Sequence, residues 1–287
     1  MVMTRLRESF GSAAALDIPG LALVAASAFA VVWGLLRGNA AGWNSAEVLT
    51  ALVAGLLLAA AFVTWEWRTS APMVPMRLFR SPAFSSGIVA GFLLYGAMYG
   101  VLFLLPQFLQ TALGYGPLGV GLRLLPWTAT LFVTAPIAGN VVNRIGERPL
   151  VALGLLMQAI GLGWVAMIIT PSVAYAAMIA PLVVAGVGVS MAMPAAQNTI
   201  LGSVAVTEMG KASGVFNMGR FLGGMFGIAA LVATFSATGA ADTAVHFSNG
   251  FAAAMMLASA LSLAGALVGL VLPARQQITT TTARQEA

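Results

Sequence analysis

Residues 86–110 read SGIVAGFLLYGAMYGVLFLLPQFLQ and contain no charged side chain. A helix needs about 20 mostly apolar residues to cross the roughly 30 Å hydrocarbon core of a bilayer. Because lipid offers backbone groups no partner, and because such runs are apolar on all sides, they predict transmembrane helices rather than barrel strands. We therefore predict an all-α integral membrane protein of eight transmembrane helices, with seven more spans at roughly 16–36, 47–65, 119–142, 149–169, 173–200, 212–235 and 249–272.

The composition of the whole chain supports this fold class. Hydrophobic residues make up 60% of the chain and charged residues 7%, whereas about a quarter of the residues of a soluble domain are charged. There is no cysteine and one histidine, His246. No set of residues has metal-ligand or catalytic spacing, so we expect no metal, no cofactor and no enzyme activity.

The basic residues predict the orientation. A cytoplasmic N-terminus and eight spans return the C-terminus to the cytoplasm, and 11 of the 13 basic residues then lie inside, leaving Arg37 and Arg123 outside. The positive-inside rule favours this arrangement. It also explains the high isoelectric point without a nucleic-acid partner. We expect a multi-pass protein of the cell membrane with both termini cytoplasmic. The inner residues are Arg5, Arg7, Arg68, Arg77, Arg80, Arg144, Arg148, Lys211, Arg220, Arg275 and Arg284.

The connector between the second and third spans divides the chain. Residues 1–75 hold a cytoplasmic N-terminal segment, a two-span hairpin and that connector. Residues 76–274 hold six spans with short loops, which predicts a six-helix bundle. Residues 275–287 are rich in Gln and Thr, which is typical of a disordered tail.

Polar groups inside a membrane are costly, so each one is a functional candidate. An aromatic and thioether face on the third span suits varied apolar ligands, although ordinary core packing is the simpler explanation. Amides in the sixth span can bind substrate or another helix. Arg123 can face a cavity or reach the headgroups. We predict substrate binding by Tyr95, Met98, Tyr99, Gln197, Asn198 and Arg123.

No Asp or Glu lies well within a span, so the chain supplies no obvious buried carboxylate for a proton relay. In the seventh span, Gly219, Gly223 and Gly227 recur every four residues and form a bare stripe that lets another helix approach closely. The stripe predicts either static packing or a surface that slides during transport.

A loop and four short motifs resemble a known family. Residues 139–148 read GNVVNRIGER and resemble the cytoplasmic loop motif G-x-x-x-D-R-x-G-x-R of the major facilitator superfamily. The matching residues are Gly139, Arg144, Gly146 and Arg148, while Asn143 replaces the usual Asp. Four further stretches resemble the fourteen-span drug:proton antiporter branch of this superfamily: residues 103–110 (FLLPQFLQ), 121–127 (GLRLLPW), 194–198 (PAAQN) and 211–214 (KASG).

The resemblance implies that the chain is the linking pair of spans plus the C-terminal six-helix bundle. It also implies that the third and sixth spans face a central cavity, and that the coupling acids lie in the absent N-terminal half. The chain would be a truncated product, a split transporter half or a domain cut from a longer protein.

The function implied is half of a proton-driven exporter of multiple drugs or other small molecules, working by alternating access. Its partners would be the lipid bilayer, a small amphipathic organic substrate, and a complementary N-terminal half or a second copy. Organic cations or neutral drugs fit the predicted site better than sugars do. The alternative is a non-transporting membrane interaction protein or a remnant of such a transporter.

Overall fold

The computed structural model describes residues 17–70, 72–239 and 243–273. Within these ranges the chain forms eight α-helices and no β-strand, which confirms the predicted fold class. Two short 3₁₀ helices, Met76–Arg80 and Val206–Glu208, precede α3 and α7. The helices are α1 (Ile18–Ala41), α2 (Ala46–Arg68), α3 (Pro82–Thr111), α4 (Pro117–Ile145), α5 (Glu147–Ile168), α6 (Tyr175–Gly202), α7 (Met209–Thr238) and α8 (Ala244–Val271).

All eight helices are long and apolar enough to cross a bilayer, counted over the described residues. Some helix starts differ from the predicted bounds, because capping side chains set where a helix begins. The Asp17 carboxylate accepts the backbone N–H of Gly20, 2.9 Å away, at the start of α1. The Ser81 hydroxyl caps α3 in the same way, five residues before the predicted span begins.

Successive helices run in opposite directions, so the loops fall at two ends of the molecule. We call one the connector end, where residues 69–81, Gly146 and residues 203–208 lie. The other is the opposite end, which holds residues 42–45, 112–116 and 169–174. Gly146 alone separates α4 from α5, and its φ of 84° lies in a region that favours glycine.

Small residues allow α5 and α6 to pack closely. A Cβ added to Gly161 of α5 would lie 2.6 Å from both the Pro181 carbonyl oxygen and the Ala185 backbone nitrogen of α6. Helix α5 also packs against α8, and α3 packs against α7 and α8. These five helices, α3 and α5 to α8, surround the buried apolar core.

The first two helices form a hairpin with its own contacts. The Ser27 hydroxyl of α1 donates to the Gly55 carbonyl of α2 over 2.8 Å. Helix α1 also lies against α7, where the Asn39 amide donates to the Ala233 carbonyl over 2.5 Å. The division of the chain near residue 75 stays a prediction. The predicted tail at 275–287 lies outside the described residues.

Helix α4 packs mainly against α6 and presents a long uncovered apolar face. Leu118 and Phe132 on this face are 80% and 84% exposed, and Leu122, Leu125 and Ile137 are also exposed. Either lipid or another protein element must cover such a surface in a membrane.

Candidate functional site

A cluster of aromatic rings and one arginine joins α3 to α7 near the middle of both helices. The Arg220 guanidinium of α7 donates from Nη2 to the Tyr99 hydroxyl of α3 over 3.1 Å. It also lies 4.9 Å from the centroid of the Tyr95 ring. Tyr95 stacks with Tyr99 at 6.1 Å and meets Phe216 edge-on at 6.1 Å. We call Tyr95, Tyr99, Phe216 and Arg220 the Arg220 cluster.

Tyr95 and Tyr99 differ in exposure within this cluster. Tyr95 is 2% exposed, whereas Tyr99 is half-buried, with its ring on the bare backbone of Gly224. Met98, the third predicted residue of this face, is buried in the core. The predicted aromatic face therefore has Tyr99 as its accessible member, and Met98 serves packing in this structure.

Arg220 is absent from the predicted site residues, and its predicted place in a cytoplasmic segment was wrong, because it lies within α7. Arg220 lies 11 residues into α7, about 16 Å along the helix from Met209. The available signal was a cation eight residues inside the predicted span 212–235.

Gln197 and Asn198 are exposed on α6, but at a different depth from Tyr99. Gly87 of α3 packs against Ile200 of α6, and this pair sets the register of the two antiparallel helices. Tyr99 lies 12 residues from Gly87 along α3, towards the opposite end. Gln197 lies only three residues from Ile200 along α6, in the same direction. The two are therefore separated by about 13 Å along the bundle axis. The structure does not bring them into one contact site.

Arg123 lies elsewhere, in an aromatic clamp at the opposite end. Its guanidinium carbon is 3.5 Å from the Tyr115 ring centroid and 5.1 Å from that of Tyr175. The Tyr175 hydroxyl donates to the Arg123 carbonyl over 2.9 Å. The clamp joins the loop before α4 to the start of α6, away from the Arg220 cluster.

The predicted loop motif spans the one-residue junction between α4 and α5. Gly139 and the backbones of Asn143 and Arg144 belong to α4, and Gly146 is the junction itself. Arg148 is exposed in the first turn of α5. The motif thus lies at the connector end, where it fixes a tight reversal of the chain.

The glycine stripe of α7 faces the backbone of α3, although not uniformly. A Cβ on Gly227 would overlap the Gly96 backbone, and a Cβ on Gly223 would overlap the Phe92 carbonyl. Gly219 differs, because a Cβ there would meet only the Ile88 side chain, at 3.6 Å. Close approach therefore depends on Gly223 and Gly227.

Glu66 lies at the end of a span, as predicted, but it is buried. Glu66 is 2% exposed near the end of α2, and its Oε2 accepts the backbone N–H of Val74 over 3.0 Å. Nearby Asp17 accepts from the Trp65 indole over 2.9 Å. Glu66 is buried by protein, because the connector folds back over the end of α2. Position in the sequence does not reveal that fold.

The family model described as "Major Facilitator Superfamily" matches residues 9–228. The chain belongs to the major facilitator superfamily. Among solved structures, the chain is similar to a chain of the one titled "Crystal structure of nucleoside transporter NupG (D323A mutant)", with a TM-score of 0.56 and 10% identity. The match covers 84% of this chain and 64% of the other, and it shows a shared fold.

Curated relatives within the superfamily carry names of resistance and export proteins. Multidrug resistance protein Stp of Mycobacterium tuberculosis is 31% identical over 75% of this chain and 40% of its own length. Cephamycin export protein CmcT of Amycolatopsis lactamdurans is 30% identical over 90% and 54%. Methylenomycin A resistance protein of Streptomyces coelicolor is 33% identical over 75% and 45%. The chain spans about half the length of these relatives.

Proposed function

We propose that this multi-pass membrane protein is the C-terminal half of an exporter of small amphipathic organic compounds in the cell membrane. The observation that carries the proposal is the similarity, over three quarters of the chain or more, to proteins named for multidrug resistance and antibiotic export. The bundle would rock against a second bundle and expose a midplane site to each side of the membrane in turn.

A complementary N-terminal half, or a second copy of the chain, would cover the exposed apolar face of α4. The exposed side of α7, next to the Arg220 cluster, would then border the central cavity. Protons would drive transport, with the coupling carboxylate supplied by that other half. Within the described part of α3 to α8, the acids lie at helix starts, as Glu147 does, rather than at mid-membrane depth.

The predicted site residues take separate tasks in this proposal. Tyr99 would contact the substrate at the cavity, and Gln197 with Asn198 would line the route closer to the connector end. The junction at Gly146 would limit how far α4 and α5 move apart during rocking. The paired backbones of α3 and α7 would move as one body.

Both termini would lie in the cytoplasm. With Arg220 assigned to the interior of a helix, ten of the 13 basic residues remain on the predicted cytoplasmic side. The positive-inside rule still favours this orientation by a wide margin. The connector end of the bundle is then the cytoplasmic end.

The alternative is a membrane interaction protein or a remnant without transport activity. The observation in its favour is the same lack of a mid-membrane carboxylate among the described residues of the bundle. Such a protein would keep its packing but would not move substrates.

A resistance assay tests the proposal. A drug-sensitive bacterium would express this chain alone, a complementary six-span N-terminal half alone, or both. We expect raised resistance and faster efflux of a fluorescent dye only when both halves are present. If both halves reach the membrane in normal amounts and neither readout changes, the chain is not an exporter half.

A further inference from the structure

Arg220 is a cation in the interior of a transmembrane helix with no acidic partner among the described residues. The ion pairs described in the structure join Arg37 to Glu47 and Arg77 to Glu208, both near helix ends. Among the described residues, Arg220 donates from Nε and Nη2 to the Tyr99 hydroxyl and lies over the Tyr95 and Phe221 rings. An uncompensated charge at this depth is costly and indicates a functional site.

The open side of Arg220 faces away from the core. Arg220 is half-buried, and its neighbours along the outer face of α7 are exposed: Asn217, Phe221 at 59% and Met225 at 43%. Ionisable side chains at membrane depth face a bundle interior or a water-filled cavity rather than lipid. This face of α7 therefore borders a polar space.

We propose that Arg220 binds the anionic group of an amphipathic aromatic substrate, such as an aryl carboxylate. The inference rests on the proposed exporter function and names its substrate class. Tyr99 occupies the Nε and Nη2 donors, which orients the guanidinium and leaves its Nη1 edge for an anion. A charge-assisted hydrogen bond to a carboxylate is the strongest contact such an edge offers.

The rings around the guanidinium favour a small molecule over a carboxylate of another protein chain. Tyr99 and Phe221 flank Arg220, with the Phe221 ring centroid 5.6 Å from the guanidinium carbon. An aromatic substrate can stack on these exposed surfaces while its anion reaches Arg220. A single Asp or Glu of another protein chain would pair with the guanidinium but leave the aromatic rings uncovered.

The fixed charge also revises the substrate class expected from sequence. Organic cations fit the aromatic and amide groups alone, but Arg220 repels them at this position. Neutral aromatic compounds remain compatible, with weaker binding than their anionic counterparts.

Calorimetric titration of the purified chain in lipid nanodiscs tests the proposal directly. The probes are 2-naphthoate and its neutral, nearly isosteric amide, 2-naphthamide. We expect naphthoate to bind about tenfold tighter or more, as a charge-assisted hydrogen bond predicts. Arg220→Gln should abolish the difference, and Arg220→Lys should retain part of it. Arg37→Gln, which removes a cation from the opposite end of the hairpin, should retain all of it.

The proposal is overturned if the wild-type chain binds both probes equally or if Arg220→Gln keeps the preference for naphthoate. Binding to the purified chain requires no transport, so a failure of the exporter function leaves this result readable. An export assay in cells distinguishes a small-molecule substrate from a protein partner of Arg220. With both halves expressed, Arg220→Gln should reduce export of anionic compounds selectively. Equal loss for anionic and neutral compounds would indicate pairing with an acid of the other half and would refute the proposal.

Discussion

The hydroxyl of Tyr99 holds the guanidinium of Arg220 in place, with 3.1 Å between the hydroxyl oxygen and Nη2. This hydrogen bond links α3 to α7. Among the described cations of α7, Arg220 is the one in the middle third of the helix. Tyr99→Phe removes the hydrogen bond and keeps the ring on Gly224. We expect an altered drug profile in the two-half transporter, with a loss of about 1 kcal/mol in substrate binding. Expression should remain normal.

Gln197→Ala is the second test of the proposed route, because Gln197 is exposed and about 13 Å from Tyr99 along the axis. We expect changed selectivity among compounds, at a cost of about 1 kcal/mol or less, with unchanged protein levels. Resistance profiles measured against the amount of protein in the membrane check both variants. A uniform loss of resistance that follows reduced protein levels would assign these residues to packing instead.

Gly227→Ala should destabilise the bundle, because its methyl group would overlap the backbone at Gly96. Overpacking of this kind costs about 1–3 kcal/mol. Gly219→Ala is the matched control, since a Cβ there meets a single side-chain atom at ordinary contact distance. Thermal unfolding of the purified variants measures the difference. Equal stability of the two would mean that α3 and α7 separate easily at Gly227.

The orientation can be tested with single cysteines, because the natural chain has none. Ser70 and Thr207 are exposed at the connector end, and Ser172 is exposed at the opposite end. In intact cells an impermeant thiol reagent should label Ser172→Cys and spare Ser70→Cys and Thr207→Cys. Opening the cells should expose all three. Labelling of Thr207→Cys from outside would reverse the proposed topology.

Glu66 should act as a tether for the connector. Glu66→Ala leaves the Val74 N–H without its acceptor, at a cost of about 1–3 kcal/mol. Glu66→Gln keeps an acceptor oxygen there and should be close to neutral. The rate of limited trypsin digestion measures how well the connector is held, because Arg77 and Arg80 lie between α2 and α3. We expect faster cleavage in Glu66→Ala alone; no change in either variant would show that the connector is held elsewhere.

The helices were predictable from sequence because the length of an apolar run is a local property. The same holds for the stacking of Tyr95 on Tyr99, since residues four apart share a helix face. The clamp around Arg123 was not predictable, because Tyr115 and Tyr175 are 60 residues apart and meet only in the folded bundle. The burial of Glu66 likewise depends on the path of the connector.

The partner of Arg220 depends on how α7 is rotated against α3. That rotation is set by the contact between Gly96 and Gly227, and an apolar sequence alone leaves it open. The glycine stripe marks which face of α7 approaches another helix, but it does not identify that helix. Predicting the site therefore needs the alignment of α3 against α7, which the sequence of either helix alone does not give.

The bare contact of Gly96 with Gly227 has a practical consequence for purification. Two backbones in direct contact leave no gap for a detergent tail to enter, so α3 and α7 should stay together in short-chain detergents. Helix α4 presents Leu118 and Phe132 outward and depends on whichever amphiphile surrounds it. A preparation can therefore look well folded by its helix content after α4 has come loose, and long-chain detergents or nanodiscs are the safer choice.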